Sequence, residues 1–190
     1  MKNILICLIM SFFIIGRITA DEPPIHITEV ISQNNQYKLN LINTINDNDN
    51  FIEYWELIRI NTNEIIYNFI CYQFTLTGKL VFISDNGNNI SIIDWFLPVD
   101  WRNANRQNIN NKIVIKFYFL GNEINSYRLS DIFNNIRRGI QSVSHFQWTN
   151  YNQNRNSILM NNNQLIIRTL ESYEYIFNIN NGEIINRRRI

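Results

Sequence analysis

Apolar and polar residues alternate with a period of two along most of this chain. Tyr37, Leu39 and Leu41 are spaced by Lys38 and Asn40, and Trp55, Leu57 and Ile58 lead into Arg59 and Ile60. Further short runs, rich in Ile, Val, Phe and Tyr, occupy 65–71, 80–83, 90–93, 113–120, 165–167, 173–179 and 184–185. β-branched and aromatic residues fit a pleated, half-buried surface, so each run predicts a strand. Three stretches share one plan: "LIRINTNEIIYNF" (57–69), "KFYFLGNEINSYRL" (116–129) and "YIFNINNGEIINRR" (175–188). Each has an apolar run, then Asn or Gly at a reversal, then Glu, then a run opening on Ile. Asn and Gly tolerate the positive φ of tight hairpins, so these stretches predict hairpins. With pairs at 37–42 and 80–93 the count comes to about nine or ten strands. The fold class that follows is mainly β: antiparallel hairpins in a propeller-like or sandwich-like sheet assembly. Uneven spacing leaves both arrangements open.

Two segments depart from that period. "RLSDIFNNIRRGI" (128–140) predicts one short helix near 130–138, with Ser130 as N-cap and Asp131 in the first turn. Arg137 and Arg138 fall in its last turn, where they complement the helix dipole, and Gly139 stops it. "DWFLPVDWRNANRQNINN" (94–111) is the longest non-periodic stretch and reads as a loop. The polar knot in "VFISDNGNNISIIDW" (81–95) reads as a corner between two strands, with Asp85 bonding back to nearby amides and Gly87 left-handed.

The first residues change the picture of where the protein goes. Lys2, an apolar run from Ile4 to Ile15 and a small residue at Ala20 form the three-part plan of a secretory signal peptide over 1–20. Twelve apolar residues are short for a membrane span, which needs about twenty. The alternative is an uncleaved anchor. The exported product is then one β-rich domain, 21–190, long enough for a real core. Without Lys2 and Arg17 it has 15 basic residues against 16 acidic ones, a net charge of −1. That balance gives no reason to expect nucleic acid as a partner. Cys71 alone remains after cleavage, so no intrachain disulfide forms, and its apolar neighbours favour burial. The 34 Asn residues are scattered and interrupted by aromatics, unlike a prion-like tract.

Five blocks occur in a fixed order: "SQNNQYKLNL" (32–41), "ISDNGNNISIIDW" (83–95), "NEINSYRLSDIF" (122–133), "SVSHFQW" (142–148) and "YIFNINNGEI" (175–184). In that order they resemble a group of exported bacterial proteins of unknown function with propeller-like hairpin repeats and an "iSdDG" turn. Here the turn reads Asp85-Asn86-Gly87, so a carboxylate pair at that place is lost. The resemblance implies a β-rich, propeller-like exported domain and no particular chemistry.

Candidate chemistry is sparse. His26 and His145 are the only histidines, and no His-Glu-x-x-His or Cys-x-x-Cys spacing is present, so neither a metal nor a cofactor is expected. Ser142 or Ser144, His145 and Asp131 assemble a nucleophilic triad on paper, without the Gly-x-Ser-x-Gly elbow. "NDNDNFIE" (46–53) offers Asp47, Asp49 and Glu53 to calcium but has Phe51 and Ile52 where the loop needs an oxygen ligand and Gly. No phosphate-binding Gly-rich loop exists, and Arg187-Arg188-Arg189 reads as a frayed, solvated end. The 94–101 stretch remains: Asp94 and Asp100 beside Trp95 and Trp101, acids among aromatics, as sugar or small-ligand sites are often built. The expected role is an exported, non-catalytic binding or scaffolding protein with an envelope protein or a glycan as partner. The alternative uses Asp94, Trp95, Asp100 and Trp101 to bind a carbohydrate or small ligand, with an envelope hydrolase behind it.

Overall fold

The computed structural model describes residues 29–45, 51–70, 79–99, 106–142, 145–151, 154–161 and 163–190. The protein is mainly β. Four strands open the chain: β1 (Glu29–Ile31), β2 (Tyr37–Ile45), β3 (Phe51–Arg59) and β4 (Glu64–Phe69). β5 (Lys79–Ile83) and β6 (Asn89–Asp94) follow, then β7 (Phe96–Pro98), a helical turn α1 (Arg106–Asn110), β8 (Ile113–Phe119) and β9 (Asn122–Arg128). After α2 (Leu129–Ile132) come β10 (Ile140–Gln141) and β11 (His145–Gln147). β12 (Ile158–Asn161), β13 (Gln164–Arg168), β14 (Tyr173–Asn178) and β15 (Ile184–Arg189) complete the order.

Three four-stranded antiparallel sheets result, ordered β1-β2-β3-β4, β5-β6-β8-β9 and β12-β13-β14-β15, with a three-stranded sheet β10-β11-β7 beside them. The three predicted hairpins form, and their reversals lie at positive φ on Asn63, on Leu120 with Gly121, and on Gly182. The centre of the middle sheet is buried on both faces: every residue of β6 is buried. Ile90 and Ile92 pack with Leu39, Trp55, Leu57 and Phe69 of the first sheet. Ile93, Ile115 and Phe117 pack with Leu165, Ile167, Tyr175 and Phe177 of the third. The first strands of the sheets lie near one another. β1 packs on β5, and Gln33 Nε2 after β1 donates to Met160 O on β12 at 2.9 Å. Three four-stranded antiparallel sheets packed on one another make a propeller-like assembly.

Turns join the sheets. Turn carbonyls have no ladder partner, and a buried one needs a donor from elsewhere. Asp85 O accepts from Asn34 Nδ2 (2.7 Å), and Gly87 O accepts from the Tyr67 hydroxyl (3.0 Å), both from the first sheet. Towards the third sheet, Asn89 Nδ2 donates to Ile179 O (3.0 Å), while Asn125 Nδ2 and the Tyr127 hydroxyl both reach Gly182 O, at 3.1 and 2.8 Å. The polar knot at 84–89 is therefore a corner to which both neighbouring sheets attach. Its internal bonds are made by Ser84 and Asn86 rather than Asp85. Asn89 N donates to Ser84 Oγ, and Asn88 N donates to Asn86 Oδ1.

Three local expectations are corrected. The helix near 130–138 is one turn, α2, with Arg128 instead of Ser130 at its N-cap; Asp131 accepts from the Arg128 amide at 2.7 Å. Glu171, buried in the third sheet's β13–β14 turn, accepts from the Asn134 and Asn135 amides and draws the chain out of the helix. Arg137 and Arg138 then fall in a separate 3-10 turn, Ile136–Arg138. The 94–111 stretch holds β7 and α1, because β7 finds its partner 49 residues on, in β11 (Leu97 opposite Phe146). Arg187 to Arg189 are an ordered part of β15, not a frayed end. Residues 1–20, where a leader is expected, and Asp47, Asp49, Cys71 and Ser144 lie outside the described residues.

Candidate functional site

Asp94 and Trp95 stand where β6 ends. Hairpin register puts Lys79, the first residue of β5, directly opposite Asp94. Both ionisable residues are buried, at 6% and 7% exposure. The Asp94 carboxyl accepts from the Phe96 amide, while its Oδ1 has no hydrogen-bond partner among the described residues. Burial pushes the Asp94 pKa up to about 7, although Lys79 and Lys112 pull against it. The Asp94 backbone is fixed from behind, since its carbonyl accepts from buried Trp148 Nε1 at 2.8 Å. Lys112 Nζ donates to Pro98 O at 3.1 Å and closes the same end of the sheet.

An aromatic shelf continues from there. Trp95 is half-buried, with its ring 5.3 Å from both Phe96 and Tyr151. The Arg155 guanidinium lies 4.7 Å over Tyr151, and His145 stacks on Phe96 at 4.2 Å. The fold thus brings Asp94 and Trp95 together with Lys79, Lys112, His145, Tyr151 and Arg155. Asp100 and Trp101 lie outside the described residues. Lys79 was accessible to sequence reasoning: counting back from the Asn86-Gly87 turn pairs it with Asp94. Tyr151 and Arg155 carried no such signal, because they arrive from the turns that precede β12, far along the chain.

The other candidates resolve differently. Ser142 bonds the His145 backbone, donating to its carbonyl and accepting from its amide, and Asp131 caps α2. Ser142 thus serves a turn and Asp131 a cap, while Ser144 lies outside the described residues. In the calcium candidate, residues 51–53 start β3. Among the described residues no three His, Cys, Asp or Glu side chains converge as a metal site. A shallow groove of about 440 Å³ lies elsewhere, lined by Ile70, Ile113, Tyr118 and Asn122, with the Lys116–Glu123 ion pair (2.7 Å) on its wall. No helix among the described residues is long and apolar enough to cross a membrane.

No family model matches the chain, and no curated protein matches it. Among solved structures it is similar to the β-propeller domain of Cps50 (Swd1) from Myceliophteria thermophila, with a TM-score of 0.36 and 10% identity over 84% of this chain. The chain spans 39% of the length of that structure. Sheet order and packing make the fold propeller-like.

Proposed function

We propose that this protein is an exported, non-catalytic binding or scaffolding module of the cell envelope, with 1–20 as its leader and 21–190 as one domain. One observation carries the reading: several charged groups of the sheets pair with one another while β15, an outermost strand, faces solvent. Glu174 sits between Arg168 and Arg188, Lys116 pairs with Glu123, and Arg59 pairs with Glu64. Every residue of β15 is exposed. Sheet edges carry unpaired backbone groups and are ready pairing surfaces. Two measurements test the reading. Intact mass of the exported protein should show a chain beginning at Asp21, and crosslinking in the envelope should give a defined partner. Turnover on a hydrolase panel, abolished by Asp94→Ala or His145→Ala, is the result that would defeat it.

The Trp95 shelf favours a second reading, a site for a glycan or small ligand. A half-exposed indole beside Tyr151 and Arg155 offers a flat apolar face with polar groups at its edge. Titration with a glycan panel should then quench tryptophan fluorescence, and Trp95→Ala should remove the response. Quenching that survives the substitution dismisses the shelf.

A further inference from the structure

We propose that the open edge of β15 receives an extended acidic peptide segment of a partner protein as an added antiparallel strand. This rests on the binding-module reading and names the chemistry of the partner. Among the described residues β15 is the outermost strand of its sheet, with β14 on one side. Hydrogen-bonded pairs alternate along an antiparallel ladder. Ile190 N–H donates to Ser172 O at 2.8 Å, so the residues two and four earlier, Arg188 and Asn186, also bond inward, to Glu174 and Ile176. The amide and carbonyl groups of Arg187 and Arg189 then face the open edge. An added strand exchanges hydrogen bonds with these two residues.

Charge selects the occupant. The Arg187 guanidinium lies over the rings of Tyr173 (4.6 Å) and Tyr175 (5.4 Å), which hold it in place on one face of the strand. Arg188 lies on the opposite face, bonded to Glu174. The nearby acids have partners: Glu174 is buried between two arginines, buried Glu171 takes two backbone amides, and Glu183 just before β15 accepts from Asn181 Nδ2. The 3-10 turn that begins beyond those amides adds exposed Arg137 and Arg138. A second copy of β15 would set arginine against arginine and is repelled. A linear polyanion meets only one face of the strand and leaves the open backbone unpaired. An extended peptide with acidic side chains meets both faces and the backbone.

The test is fluorescence anisotropy with the full chain and a labelled peptide of alternating glutamate and valine, beside the same peptide N-methylated at alternate amides. Expected are saturable binding of the first peptide and at least about tenfold weaker binding of the second and of Arg187→Glu. Amide hydrogen exchange supplies a readout that charge alone does not move: Arg187 and Arg189 slow on saturation while Arg188 does not change. Equal binding of the methylated peptide, unchanged exchange at Arg187 and Arg189, or tighter binding of inorganic polyphosphate overturns the proposal. If the peptide fails while the chain still captures its envelope partner through a surface that Arg187→Glu leaves intact, strand addition falls and the binding-module reading stands. Turnover lost in Asp94→Ala sinks that reading alone.

Discussion

Asp94 is the residue whose environment most alters its chemistry. Its folded pKa of about 7 lies above the ordinary 3.8, so between those values the folded state holds a proton that the unfolded state has released. Its contribution is therefore fully present below pH 3.8 and lost as pH rises through about 7. Relative to Asp94→Asn, which keeps the shape without the charge, the wild-type protein should lose on the order of 4 kcal/mol across that window. Urea melts of both proteins at several pH values test this; parallel curves refute it. Two turn residues give opposite expectations. At Gly87 φ is 74°, and an added Cβ would lie 2.6 Å from Tyr37 Cε1, so Gly87→Ala should cost about 1–3 kcal/mol. Leu120 is a bulky residue at φ 47° with 44% of its surface exposed, so Leu120→Asn should gain about 1 kcal/mol in the same melts.

Among the elements, the corner at 84–89 and the third sheet carry the sharpest expectations. Asn89 is buried, and its bond to Ile179 O spans two sheets. Asn89→Ala leaves that carbonyl unpaired and should cost about 1–3 kcal/mol, more than Asn34→Ala at the exposed bond to Asp85. In β14, burial pushes the Glu174 pKa up, but bonds from Arg168 and Arg188 outweigh it and hold the carboxyl below its ordinary value. Its contribution exists above the unfolded pKa of 4.5 and disappears as pH falls through the lower folded value. The stability difference between the wild type and Glu174→Gln should therefore shrink in acid, the reverse of Asp94. Elements with local causes were legible in the sequence. The hairpins at 57–69, 116–129 and 175–188 needed only their own period and turn residues. The end of α2 was not legible, because a carboxylate from Glu171 decides it, nor was β7, whose partner β11 is remote. At the candidate site, Asp94 and Trp95 were found by residue type, whereas Tyr151 and Arg155 depend on where the turns before β12 come to rest.

For the whole molecule, burial grades outward from one strand. β6 is buried on both faces, with one core on each side of it, while β15 has no buried residue. Local opening follows such gradients. Amides of β6 should exchange last, at the rate of global unfolding, and those in β15 that bond inward should exchange well before them. Uniform exchange across the three sheets would contradict this. The same gradient bears on how the protein ages. In the turns Asn86-Gly87 and Asn181-Gly182 the glycine amide is the nucleophile that closes on the preceding side chain when asparagine deamidates. Folding engages both nucleophiles: Gly87 N–H donates to Ser84 O at 2.9 Å and Gly182 N–H to Asn178 O at 2.7 Å. Ring closure must wait for the turn to open. Isoaspartate at these two turns is then a chemical clock, recording the time each corner of the protein has spent undone.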